Sequence, residues 1–155
     1  MIPEKAQQYI GKISAPRVFE VEKGAIRRYA EAVGDDNPLY RDEEYARKTR
    51  YGGIIASPGF FGWPVGTVSE GGADAGSVVK AFSEAGFPRL LDAGMSYEFY
   101  QPVHTGDTLV ASSMIKEITE KESKSGVMFI YVVETTYLNQ NGELVARSYH
   151  STIAR

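Results

Sequence analysis

The chain has 155 residues, a formal net charge of −3 and no cysteine, which suits one domain, residues 1–155, able to bury a core without covalent staples. The missing cysteines exclude disulfides, thiolate zinc sites and cysteine nucleophiles, and the interspersed charge offers no basic face for nucleic acid. No run approaches the roughly 20 apolar residues of a membrane helix, and MIPEKAQQYIGK has no signal-type apolar stretch, so a cytoplasmic protein is expected.

In chain order, residues 17–21 (RVFEV) alternate as a short strand. Residues 23–33 then place Ile26, Tyr29, Ala30 and Val33 at i, i+3, i+4 and i+7, the apolar stripe of a helix. Gly34 follows as its C-terminal cap, so Asp35 opens a loop, GDDNPLY. Asp42 reads as an N-cap, with Glu43 and Glu44 in the first turn of a short helix. Arg47, Lys48 and Arg50 sit towards its end, and Gly52-Gly53 stops it. Residues 53–57 form a brief apolar run.

The segment PGFFGWPVGTV (58–68) has no polar face and reads as a buried helix, with Pro64 near its regular start or at a kink. Residues 69–77 are glycine-rich and irregular, and 78–85 form a short helix. From Gly94 the period changes to two: strands are expected over 95–103, about 107–120, 126–138 and 143–153. Asn141-Gly142 makes the last hairpin turn. A buried helical segment followed by long antiparallel strands gives an α+β arrangement, a helix wrapped by a sheet.

The stretch Gly34–Tyr40 carries the densest chemistry. Asp and Asn favour turns through bonds to nearby amides, and Asn37 before Pro38 must be extended. The loop also lies between two helices, ahead of the most apolar segment, where function often resides. The Asp35…Tyr40 offset can bring a carboxylate and a phenol to one side of a compact loop, a pair suited to acid–base work if burial tunes it.

The run YAEAVGDDNPLYRDEEYARKTRYGGIIASPGF (29–60) resembles the MaoC-like hydratases and dehydratases, whose motif reads G-D-x-N-P-x-H-x-D. The stretch YEFYQPVHTGDTLVASSMIKEI (97–118) is similar to their F-x-x-P-V-x-x-G-D strand pair, and LNQNGELV (138–145) to their closing hairpin. The resemblance implies the hotdog fold, α+β with a long central helix wrapped by a curved antiparallel sheet, and makes 58–68 the start of that helix. It implies reversible removal of water from an (R)-3-hydroxyacyl thioester of CoA or acyl carrier protein, with no metal and no cofactor.

Carried over by position, Asp35 matches the catalytic aspartate, Asn37 the motif asparagine supporting the loop, and Gly59 the glycine whose amide faces the thioester carbonyl. Tyr40 stands where catalytic members have histidine. A phenol near ~10 is a poor base at neutral pH, while it can donate a proton or a hydrogen bond. Tyr40 is characteristic of the N-terminal MaoC-like dehydratase branch, in which a partner hotdog carrying GDxNPxH completes the pair. A homodimer or such a heterodimer is therefore expected. A hotdog acyl-CoA thioesterase and a non-catalytic acyl-thioester-binding subunit stay open as alternatives, because fold does not fix function.

His104 reads as a surface turn residue, and His150, alternating with Ser148 and Thr152, as part of a solvated strand face. Phe60, Phe61, Trp63, Tyr97, Phe99 and Tyr131 read as core. Arg47, Lys48 and Arg50 complement a helix end, with carrier phosphates as a second reading.

Overall fold

Alternation of β-branched and aromatic residues makes the second half of the chain a sheet, and the sheet organises everything else. The computed structural model describes residues 1–60, 75–124 and 126–155. Among them, a short helix α1 (Glu4–Gln7), strand β1 (Arg17–Glu20) and helix α2 (Lys23–Val33) come first. A single 3-10 turn (Pro38–Tyr40) and helix α3 (Glu43–Arg47) follow, then α4 (Ala75–Glu84). The four long strands are β2 (Leu90–Phe99), β3 (Thr108–Ser123), β4 (Gly126–Leu138) and β5 (Leu144–Ala154).

The sheet order is β1-β3-β4-β5-β2, antiparallel at every pairing. This α+β hotdog arrangement agrees with the sequence, down to the bounds of α2 and β4. Part of the expected central helix, residues 61–68, lies outside the described residues, as do Phe61 and Trp63.

Several boundaries differ. α4 starts at Ala75, inside the stretch 69–77 expected to be irregular; β2 ends at Phe99 rather than at 103, and β3 runs on to Ser123. β2 starts at Leu90, ahead of Gly94. Asp92 pairs with Thr152 and Gly94 with Ser151, so Ala93 is an extra residue that breaks the alternation. β3 carries a matching irregularity at Lys116, since Ile115 pairs with Val133 and Glu117 with Val132. Val132 itself pairs with Ser151. The two bulges therefore flank the central β4–β5 pair at one level, and bulges bend and twist a sheet. The sheet curves where they align.

Residues facing one another across the strands sort the core into two apolar groups. One holds Val21, Ile26, Ala30, Tyr40, Phe60, Leu109, Tyr137 and Ala146. The other holds Ala6, Val78, Phe82, Ile115, Phe129, Tyr131 and Ala154. In the second, the Phe82 ring of α4 stacks on Phe129 at 5.3 Å and on Tyr131 at 5.7 Å. Between the groups runs a polar row: Ser113 and Thr135 share a hydroxyl–hydroxyl bond of 2.8 Å, and Ser148 pairs across from Thr135.

Three expectations are corrected by this packing. Ser148 and Thr152 are 3% and 8% exposed, so the face they share with His150 is the inner face of the sheet rather than a solvated one. Phe99, expected in the core, is 49% exposed because β2 is an edge strand. Val33, the last residue of the α2 stripe, is also exposed, since the helix leaves the core as it reaches Gly34.

Candidate active site

The loop after α2 is built by its own short side chains. Gly34 takes the left-handed conformation (φ +72°), and the Asp35 amide bonds back to the Ala30 carbonyl at 2.9 Å, closing the helix. A left-handed C-cap followed by this back-bond is the usual way to satisfy the last helical carbonyls. The Asp35 Oδ1 then accepts from the Asn37 amide at 3.1 Å, and the Asn37 Oδ1 accepts from the Leu39 amide at 3.0 Å. Asn37 is thus the cap of the 3-10 turn, which the sequence did not foretell. The Arg41 guanidinium donates to the Asp35 carbonyl at 2.7 Å and pairs with Asp36 at 3.2 Å, so it ties the loop from below. Asp42 caps α3 through the Tyr45 amide, as its position suggested.

The turn delivers Tyr40 into the first core group, 7% exposed. Burial raises its pKa above the ordinary phenol value; the charges of Asp35 and Tyr51 add to the shift. Tyr40 is therefore both a packed aromatic and a neutral phenol within electrostatic reach of Asp35. The neighbouring Tyr51 hydroxyl accepts from the Arg50 guanidinium at 2.7 Å.

A second wall comes from residues 54–60. Ile55 bridges to His104, Ala56 donates to the Val103 carbonyl at 2.8 Å, and Thr105 donates to the Ile54 carbonyl at 3.1 Å. The His104 Nε2 lies 3.1 Å from the Tyr51 carbonyl, so this histidine is a tie between segments, not a free turn residue. The chain then turns at Ser57–Phe60, where the Phe60 amide donates to the Ser57 carbonyl at 3.1 Å. Gly59 has φ +88°, and a Cβ placed there would meet the Tyr29 hydroxyl at 2.6 Å. The Tyr29 ring packs edge-on to Phe60 at 6.0 Å. Beside it, burial, with Tyr137 and Tyr29 nearby, pushes the Tyr97 phenol up to about 12.

Ser57 was not singled out from the sequence. It is 2% exposed, and its Oγ has no hydrogen-bond partner among the described residues. A serine two residues before a turn glycine was the one available signal. Tyr29, read as part of an apolar stripe, was missed as a polar neighbour of Gly59. The geometry thus brings Asp35 near Tyr40, and Gly59 near Tyr29 and Ser57. Asn37 is engaged within its own turn.

No group of three or more histidine or acidic side chains among the described residues is arranged to hold a metal. His150, at 3.5 Å from Asp92, lines a separate cavity of about 280 Å³ with Leu90, Tyr131 and Val133. Arg47 and Lys48 pair with Glu43 and Glu44 one turn back in α3.

The profile of the family described as FAS1-like, dehydratase domain region, matches residues 8–148. The chain belongs to this family, among the MaoC-like hotdog proteins. It is 30% identical over 152 residues to a UPF0336 protein of Streptomyces griseus, covering 96% of this chain and 94% of the relative. Two structures from Mycobacterium tuberculosis extend the likeness. The HadBC (3R-hydroxyacyl-ACP dehydratase) complex aligns at 25% identity and a TM-score of 0.68, over 92% of this chain and 93% of the matched one. The ChsH1–ChsH2 complex aligns at 22% identity and a TM-score of 0.82, over 97% and 93%, and shows the shared fold. No helix among the described residues of this chain is long and apolar enough to cross a membrane.

Proposed function

We propose that this chain is a subunit of an (R)-specific 3-hydroxyacyl thioester dehydratase, or enoyl-CoA hydratase, acting on CoA or acyl-carrier-protein thioesters. The observation that carries the reading is a buried Tyr40, within electrostatic reach of Asp35, in the loop where the family places its Asp/His pair. Removal of water needs a base for the α-proton, an acid for the departing hydroxyl and donors for the charge that grows on the thioester oxygen. Asp35 is the carboxylate of the set. Tyr40, held neutral, donates a proton or a hydrogen bond to the oxygen that leaves or attacks. The Gly59 amide faces the thioester oxygen, and Asn37 holds the loop that presents Asp35.

A base of histidine type is missing from this loop, so a second hotdog carrying GDxNPxH supplies it. The likeness to the HadBC complex supports assembly with such a subunit. Strand β2 supports it too. It is a ten-residue edge with Leu90, Leu91, Met95 and Phe99 exposed, and unpaired apolar edges invite pairing.

The test is hydration of crotonyl-CoA and longer enoyl-CoAs, followed by loss of the conjugated thioester absorbance. The chain alone is expected to turn over slowly, and a GDxNPxH partner to restore activity that Asp35→Asn weakens. Tyr40→His is expected to raise the rate of the chain alone by at least about 100-fold, the scale of one well-placed acid–base group. Fast hydration by the chain alone removes the need for a partner. Release of free thiol without hydration would instead identify a thioesterase.

A further inference from the structure

An oxyanion is held best by two donors kept away from water. The turn at residues 57–60 offers few. Pro58 has no N–H. The Phe60 amide is already committed to the Ser57 carbonyl at 3.1 Å. That leaves the backbone amides of Ser57 and Gly59, neither of which donates to an acceptor among the described residues. Yet this same turn contains a hydroxyl that is buried and has no hydrogen-bond partner among the described residues, the Ser57 Oγ. Buried polar groups are nearly always paired, and the exceptions call for an explanation.

We propose that the Ser57 hydroxyl is the second donor to the thioester oxygen, acting beside the Gly59 amide. The proposal rests on the thioester reading above and adds to it a residue that the family motif does not assign. An unionised serine hydroxyl has no basic role at neutral pH, so its contribution is a hydrogen bond that shortens as charge moves onto the oxygen. Its lack of a partner among the described residues is then explained: the partner is the substrate. Its burial means that side chains part when a thioester enters. Tyr29, whose hydroxyl lies 2.6 Å from where a Gly59 Cβ would stand, is the neighbour the structure shows against this turn.

The decisive measurement uses acetoacetyl-CoA, whose enolate absorbs where its keto form does not. The ligand loses one proton to the buffer from the carbon between its two carbonyls. The electron pair left behind is shared with the thioester oxygen, the atom the two donors would hold. The wild-type protein, alone and with its partner subunit, is expected to bind the ligand and raise its enolate fraction at a pH where the free ligand is mostly keto.

Ser57→Ala is expected to lower the bound enolate-to-keto ratio by about tenfold or more, the loss of one hydrogen bond to a charged oxygen. Its melting temperature should equal or exceed that of wild type, because no internal bond is lost. Ser57→Thr, which keeps a hydroxyl, should recover part of the enolate signal. Wild-type binding with an unchanged ratio in Ser57→Ala overturns the proposal and leaves the thioester reading standing. A lower melting temperature in Ser57→Ala also overturns it, since the hydroxyl then has a structural partner. Absence of any binding by wild type, with or without partner, sinks the thioester reading and this proposal together.

Discussion

Gly59 is the residue at which backbone and side-chain constraints meet. At φ +88° an L side chain is strained, by about 1–2 kcal/mol, and a Cβ would also strike the Tyr29 hydroxyl. Gly59→Ala is therefore expected to lower unfolding free energy by more than that strain alone. Tyr29→Phe in the same chain should return part of the loss. Denaturant titration of the two single variants and the double variant checks this, and strictly additive losses would contradict the contact.

Tyr97 gives a second residue-scale prediction. Its phenol is pushed from 10 up to about 12 in the fold, first by burial. A group whose folded pKa lies above its unfolded one contributes stability that is complete below the unfolded value and is lost as pH rises through the folded one. Stability should therefore fall between pH 10 and about pH 12, and Tyr97→Phe should flatten that fall. Tyr40, Tyr131 and Tyr137 are shifted in the same direction, so a residual slope will remain in the variant.

At the scale of elements, α4 is anchored on the sheet by one ring. Phe82 is fully buried between Phe129 and Tyr131. Phe82→Ala is expected to cost about 3–5 kcal/mol, read as a lower denaturation midpoint at unchanged slope. Strand β2 makes the opposite kind of prediction. Met95 shares the inner face with His150 but is nearly half exposed at the edge. If β2 is where another hotdog pairs, Met95→Lys should shift sedimentation from dimer towards monomer while leaving far-ultraviolet circular dichroism unchanged. A dimer that persists would move the interface elsewhere.

Elements also show what was legible in the sequence. Helix α2 and its Gly34 cap, the β4 run and the Asn-Gly hairpin are local signals, and each appears where it was read. The start of β2 was not legible, because Ala93 interrupts the two-residue period that alternation depends on. The solvated reading of His150 failed for a related reason. Alternation says which residues share a face, and only the packing of the other elements decides which face is inside.

For the whole molecule, the candidate site follows the same division. Asp35, Asn37, Tyr40 and Gly59 stood out because residue type and spacing matched a motif. Ser57 and Tyr29 did not, since an unpaired hydroxyl and a phenol against a glycine are properties of the fold and leave no pattern in the chain. The fold brings the two walls of the site into one apolar group, Tyr40 from the loop and Phe60 from the turn.

The aligned bulges at Ala93 and Lys116 have a consequence for motion. They cross the sheet about three residues along each strand from the polar row of Ser113, Thr135 and Ser148, which separates the two apolar groups. A boundary that is both bent and polar is a natural line along which a protein opens in parts. The half built on α1, α4 and the far ends of β3 and β4 should then breathe independently of the half that carries the Asp35 loop. Native-state hydrogen exchange would report two protection classes on single strands. In β4, the amides near Phe129 and those near Tyr137 would respond to different denaturant concentrations, and binding of a thioester would slow exchange only in the second.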